Sequence, residues 1–171
     1  CVLLNPVISQ AKQKSLLEEN EIRLHNIHQL TFSGENAEAY FSSDGSRLVF
    51  QAHDGDNSCD QIYIMEISSK KTQMVSTGEG VTTCAFFEYP KCDNIIYSST
   101  HVGNKNCPEK PDYSRGYVWK LHEDYDIFHS SVDGDNLKQL TRSNGYDAEA
   151  TVAFNGGKII YTSIVGGDLD I

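Results

Sequence analysis

Two glutamates hold the same place in a repeated tripeptide. Ala-Glu-Ala surrounds Glu38 and, 111 residues later, Glu149. Carboxylates joined by an imidazole such as His101 suit several divalent ions, which makes Glu38, His101 and Glu149 the candidate metal ligands, although no short local spacing enforces their geometry. Three of the five cysteines, Cys59, Cys84 and Cys107, are candidates for a disulfide whose pairing the sequence leaves open. No Cys-x-x-Cys pair occurs, so neither a zinc knuckle nor a thioredoxin-type motif is expected. Tyr113, Tyr117 and Trp119 supply aromatic area of the kind that recognises a peptide or small ligand, or that pins a loop onto its neighbour. Oxygens alternate through Asp54, Asp56, Ser58 and Asp60, but Gly55 falls too early for a calcium loop and no bidentate Glu follows, so the segment reads as a turn. There is no Gly-x-Ser-x-Gly, no His-Glu-x-x-His and no glycine-rich phosphate loop. Catalysis within these residues is not expected, and no cofactor is expected beyond an optional divalent metal.

The elements that must position these groups are short and repeated. NAEAYFSSDGSRLVF (Asn36 to Phe50) returns as DAEATVAFNGGKIIY (Asp147 to Tyr161), with a diverged copy from Thr82 to Tyr97. Leu30-Thr31, Val75-Ser76 and Leu140-Thr141 form one recurring anchor; Leu48-Val49-Phe50, Ile95-Ile96-Tyr97 and Ile159-Ile160-Tyr161 form another. The copies are spaced by 45 to 47 residues and then by 64 or 65. The surplus belongs to a long insertion over residues 100–125, which contains two of the four prolines. Runs such as RLVFQA and QIYIMEI alternate apolar and polar residues, are rich in β-branched and aromatic types, and are separated by turn formers such as SSDG and SSKK. Four short strands in a unit of about 45 residues is the arithmetic of a β-propeller blade.

The expected fold is therefore an all-β propeller of four-stranded antiparallel blades, with roughly two and a half blades present. Residues 22–31 read as a strand that completes a last blade of a ring. Blade one covers 36–76, blade two 82–141 with its insertion, and an incomplete blade three 147–171. Residues 1–11 (CVLLNPVISQA) resemble the tail of a secretory signal, with a lipid-carrying Cys1 or an arbitrary boundary as the competing readings. Residues 12–21 form a polar lead-in. With 14 basic against 24 acidic residues the net charge is −10, which repels nucleic acid and anionic lipid surfaces. No run of about 18 apolar residues exists to span a membrane as a helix. A piece of a propeller without ring closure is expected to expose strand edges and to associate in isolation.

The residues Leu30-Thr31, Ser43-Asp44-Gly45, Leu48-Val49-Phe50 and Asp60-Gln61-Ile62-Tyr63-Ile64-Met65 together resemble the TolB-like β-propeller repeat, over roughly residues 28–171. The insertion, with Pro111-Asp112-Tyr113 and Gly116-Tyr117-Val118-Trp119, is similar to that of a branch of exported bacterial TolB-like proteins. Repeat two departs from the pattern, with EYPKCDN in place of a Ser-Pro-Asp-Gly turn. The resemblance implies a periplasmic or secreted protein with an envelope role, without transferring a partner.

In an up-and-down blade, the loop entering the first strand and the loop joining the second to the third open on one face. That places Asn36 and Glu38, Thr82 and Cys84, and Asp147 and Glu149 at matching positions on a common rim. His53, Asp54, Asp56, Cys59, His101 and Cys107 lie on the adjoining loops, with Tyr117 and Trp119 on the insertion beside them. One reading of this rim is capping and solvation of a channel mouth. The functional reading is a non-catalytic module that binds a protein, peptide or small ligand through Asn36, Glu38, Cys84, His101, Tyr117, Trp119, Asp147 and Glu149. The competing class is the propeller of a hydrolase, gating a catalytic domain beyond Ile171 or working through a metal at the rim.

Overall fold

Glycine and Asx chemistry sets the hairpins from which the fold is built. The computed structural model describes residues 20–55 and 59–171. The leader and lipid-anchor readings of 1–11, and most of the lead-in, lie outside the described residues. At the first hairpin, Gly45 takes φ +70° and its N–H donates to the Ser42 carbonyl at 2.9 Å. Asp44 accepts from the Ser42 hydroxyl at 2.6 Å and from the Ser46 N–H at 3.0 Å, so the side chain closes the turn that the backbone begins. Asn155-Gly156 repeats the device, with Gly156 at φ +71° and the Gly157 N–H donating to Asn155 Oδ1 at 3.1 Å.

Strands β1 (Glu35–Phe41), β2 (Arg47–His53), β3 (Gln61–Glu66) and β4 (Lys71–Met74) form one antiparallel sheet in sequence order. The second sheet, β5 (Thr82–Phe87), β6 (Asn94–Ser99), β7 (Asp126–Ser131) and β8 (Lys138–Gln139), repeats that order. A third begins with β9 (Asp147–Val152) and β10 (Ile159–Ser163), followed by a single bridge from Ser163 to Asp170. No helix occurs among the described residues. These are two propeller blades and the opening of a third.

The recurring Val-Ser and Leu-Thr anchors bind the outer edge of each blade. Ser76 Oγ accepts the Ile62 N–H at 2.9 Å and donates to Gln61 Oε1 at 2.7 Å. Thr141 Oγ1 accepts the Ile127 N–H at 2.9 Å and donates to Asp126 Oδ1 at 3.1 Å. One hydroxyl thus satisfies a backbone donor and a side-chain acceptor at once, replacing water at a buried strand end.

Alternation decides which blade each side chain meets. Ile95 and Tyr97 point toward blade one, in a cluster with Val49, Ile62, Ile64 and Phe87. Ile96, between them, packs with Ile127 against Ala150 and Val152 of blade three. The diverged EYPKCDN turn docks on the neighbouring turn instead of copying it: the Ser43 hydroxyl donates to the Pro90 carbonyl at 2.7 Å, and the Arg47 guanidinium to the Cys92 carbonyl at 2.8 Å.

Residues Ser33–Ile171 form one compact unit, apart from the segment ending at Phe32. Residues 20–32 contain no strand. The closing strand expected over 22–31 is therefore not formed among the described residues. Such a strand takes its hydrogen bonds from the last blade of a ring and has no ladder of its own.

Candidate functional site

The repeated Ala-Glu-Ala marks a repeated irregularity in the first strand of each blade. Pairing slips between Ala37 and Tyr40 in β1, between Thr83 and Phe86 in β5, and between Ile160 and Thr162 opposite β9. At each bulge two residues oppose one aromatic: Glu38-Ala39 opposite Phe50, Cys84-Ala85 opposite Tyr97, and Glu149-Ala150 opposite Tyr161. The first of each pair is left-handed, with φ +51° at Glu38, +52° at Cys84 and +59° at Glu149. A non-glycine residue held there costs on the order of 1 kcal/mol or more, and such bulges re-aim side chains.

The re-aimed side chains converge. Glu38, Cys84 and Glu149 line one pocket of about 320 Å³, with Tyr40, Phe86 and Thr151. Tyr40 donates its hydroxyl to Glu38 Oε2 at 2.7 Å, and that bond to a carboxylate holds its phenol up at about 12. Glu149 accepts from the Thr162 hydroxyl at 2.8 Å and from the Tyr146 hydroxyl at 3.4 Å. Burial pushes the Cys84 thiol up to about 11, opposed by the Thr83 hydroxyl and reinforced by the charges of Glu38 and Glu149. Cys84 is free and, with that shift, protonated at neutral pH.

His101 does not join the glutamates. Only 8% exposed, it lies 4.3 Å from the Phe128 ring, with Nδ1 2.7 Å from the Ser99 hydroxyl. The chain turns back on its own blade just after β6, which carries the imidazole away from the bulges. Among the described residues no group of three or more His, Cys, Asp or Glu is arranged to hold a metal ion. Asp147 is 1% exposed and accepts from the Ser143 and Ser163 hydroxyls at 2.5 and 2.6 Å, so it holds the entry to blade three together. Asn36 is exposed and donates from Nδ2 to the Ser33 carbonyl at 2.9 Å. Both occupy capping positions on their first strands.

The insertion builds a second and larger concavity, a cleft of about 530 Å³. Cys59 and Cys107 form the disulfide, with Cα atoms 5.4 Å apart, and this fastens the insertion to the loop between β2 and β3. Cys84 takes no part in it, because its bulge faces the pocket of glutamates. Tyr113, Tyr117, Val118 and Trp119 form the insertion's side of the cleft; Glu35, Gln51, His53 and Asp60 line the blade side. The rings of Tyr113 and Tyr117 are parallel to within 10°, with centroids 6.0 Å apart. Tyr117 is 77% exposed and Trp119 50%.

One chain of hydrogen bonds joins the cleft to the pocket. Asp60 Oδ1 accepts from His53 Nδ1 at 2.5 Å, and Asp60 Oδ2 accepts from Gln51 Nε2 at 2.8 Å. Gln51 Oε1 in turn accepts the Cys84 N–H at 3.1 Å and the Thr83 hydroxyl at 2.9 Å. Beside the pocket, the Tyr146 hydroxyl reaches Glu149 Oε1 at 3.4 Å. Sequence reasoning missed Gln51, Glu35 and Tyr146, and left the His53–Asp60 pair undetected. Tyr146 precedes the Asp-Ala-Glu-Ala repeat directly, and that adjacency was the one available signal.

Solved structures share this fold. TolB from Acinetobacter baumannii matches with a TM-score of 0.57 at 23% identity, over 78% of this chain and 28% of that one. A protein assigned as TolB from Agrobacterium tumefaciens matches with a TM-score of 0.60 at 19% identity, over 78% of this chain and 40% of that one. A prolyl endopeptidase structure gives 0.49 at 10% identity, over 77% and 19% of the respective chains. The fold is thus the TolB-like β-propeller, and the chain spans well under half the length of the two TolB structures. No protein-family profile matches the chain, and no curated protein sequence does.

Proposed function

We propose that this chain is the recognition part of an exported, non-catalytic TolB-like propeller, and that the cleft under the insertion takes up a peptide or small ligand, free or presented by a partner protein. The observation that carries the proposal is the fastened aromatic wall. Three large aromatic side chains, Tyr113, Tyr117 and Trp119, are left accessible on a loop that a disulfide holds at the blade rim, although burying their apolar area would be favourable. Preorganised aromatic surface of this kind lowers the ordering cost of binding. Export is supported by the disulfide, which persists in oxidising compartments. The left-handed bulge residues support the neighbouring pocket as part of the same rim, because strain of this kind collects at binding sites.

Trp119 is the only tryptophan in the sequence, so emission from these residues reports on the cleft wall alone. In the full-length protein, with any tryptophan outside this segment replaced, peptide and small-molecule libraries are expected to yield ligands that shift Trp119 emission saturably. Ligands that bind with Trp119 silent, and that are lost in Glu38→Gln, would move the function to the pocket of glutamates.

A further inference from the structure

Resting on the cleft as the recognition site, we infer that its ligand is a neutral carbohydrate chain. The aromatic wall is the first reason. Tyr113 and Tyr117 present parallel rings beside Trp119, and the C–H face of a pyranose packs on such a surface without needing charge. The second reason is the charge of the lining. Glu35, Asp60 and Glu109 share the lining with Lys110 and Lys120, a net of −1 with His neutral, so the cleft carries little of the acidic excess of the molecule as a whole, which carries −10. A cationic peptide would meet the two lysines and an anionic one the three carboxylates. A sugar hydroxyl, both donor and acceptor, pairs with either kind.

The third reason is the orientation of His53. Asp60 accepts from its Nδ1, while its Nε2 stands 3.8 Å from Glu35 Oε1. That distance is too long for a direct hydrogen bond. The imidazole and a carboxylate that is 81% exposed thus form a pair of polar groups able to grip adjacent hydroxyls. The disulfide at Cys59 and Cys107 sits in the same lining and ties the aromatic insertion to the blade that carries this pair.

The test uses the full-length oxidised protein, with any tryptophan outside this segment replaced by phenylalanine, and Trp119 emission as the readout. The probes are short malto-, cello-, chito- and galacto-oligosaccharides, with oligolysine and oligoglutamate as charged comparators. At least one sugar series is expected to shift the emission saturably, with an affinity that changes less than about twofold between roughly 0.05 and 0.5 M NaCl, since no ion pair is screened. Tyr117→Leu should weaken it on the order of tenfold. Tyr117→Phe, which keeps the ring, should bind nearly as the wild type and shows that the loss is not misfolding. If an oligopeptide binds salt-dependently and no sugar does, the carbohydrate inference falls and the cleft stands. If no probe of any kind perturbs Trp119, the carbohydrate inference falls, and a library that also leaves Trp119 silent brings down the cleft with it.

Discussion

Cys84 shows how one residue changes meaning between sequence and structure. By type and spacing it belonged equally with the disulfide candidates and with the rim carboxylates. The fold places it on the bulge of β5, in the pocket between Glu38 and Glu149. Burial first, and the two carboxylates after it, hold its thiol at about 11. The neutral form is the one favoured, so the thiolate appears only as pH rises toward that value. In the folded protein, alkylation of Cys84 by iodoacetamide is expected to be negligible at pH 7.5 and to climb steeply above about pH 10, well beyond an ordinary cysteine near 8.5. Mass-spectrometric rates across this range would show it. A profile levelling near pH 8.5 would mean that the thiol is not enclosed as described.

At the scale of elements, the two blade devices differ in how far the sequence reveals them. The Asp44-Gly45 turn is closed entirely by its own neighbours, and was therefore readable from five adjacent residues. Gly45 has φ +70° and open space where a Cβ would stand, so replacing it tests backbone strain without a clash. Gly45→Val should lower stability by about 1 kcal/mol or more, while Gly45→Asn should recover most of it, because Asn tolerates the left-handed region. Thermal denaturation of both variants separates the two effects. The hydroxyl anchors Ser76 and Thr141 were visible only as a recurrence. Their reason, an acceptor for Ile62 or Ile127 across the blade, spans 14 residues and appears once the strands are paired. The bulges lie further still from local reading: nothing in Ala-Glu-Ala announces that Glu38 is left-handed, since a glutamate ordinarily avoids that region.

For the molecule as a whole, the disulfide is the one covalent tie between the insertion and blade one. It closes a loop across a sequence separation of 48 residues, worth about 4 kcal/mol in a chain-entropy account. Reduction, or Cys59→Ser with Cys107→Ser, is expected to lower stability by about 2–4 kcal/mol and to free Trp119 from the cleft wall. A red shift in its emission and faster amide exchange through residues 107–119 would record the release. An unchanged Trp119 environment after complete reduction would show that side-chain packing alone holds the insertion in place. The strand alternation that sends Tyr97 to one neighbour and Ile96 to the other carries the stacking, so the blades themselves should survive the change.

The sequence by itself determined the all-β class, the four-stranded blades and their hairpins, and the presence of an aromatic insertion. Period-two alternation and turn chemistry act between near neighbours, where steric and hydrogen-bonding rules apply whatever the rest of the chain does. Only the tertiary structure decided that Cys59 takes Cys107 and leaves Cys84, that His101 turns onto Phe128 away from the glutamates, and that Gln51 ties His53–Asp60 to the bulge of blade two. Each of these depends on how one blade stacks on the next and where the insertion crosses the rim, and groups 27 to 48 residues apart meet only after that packing is made.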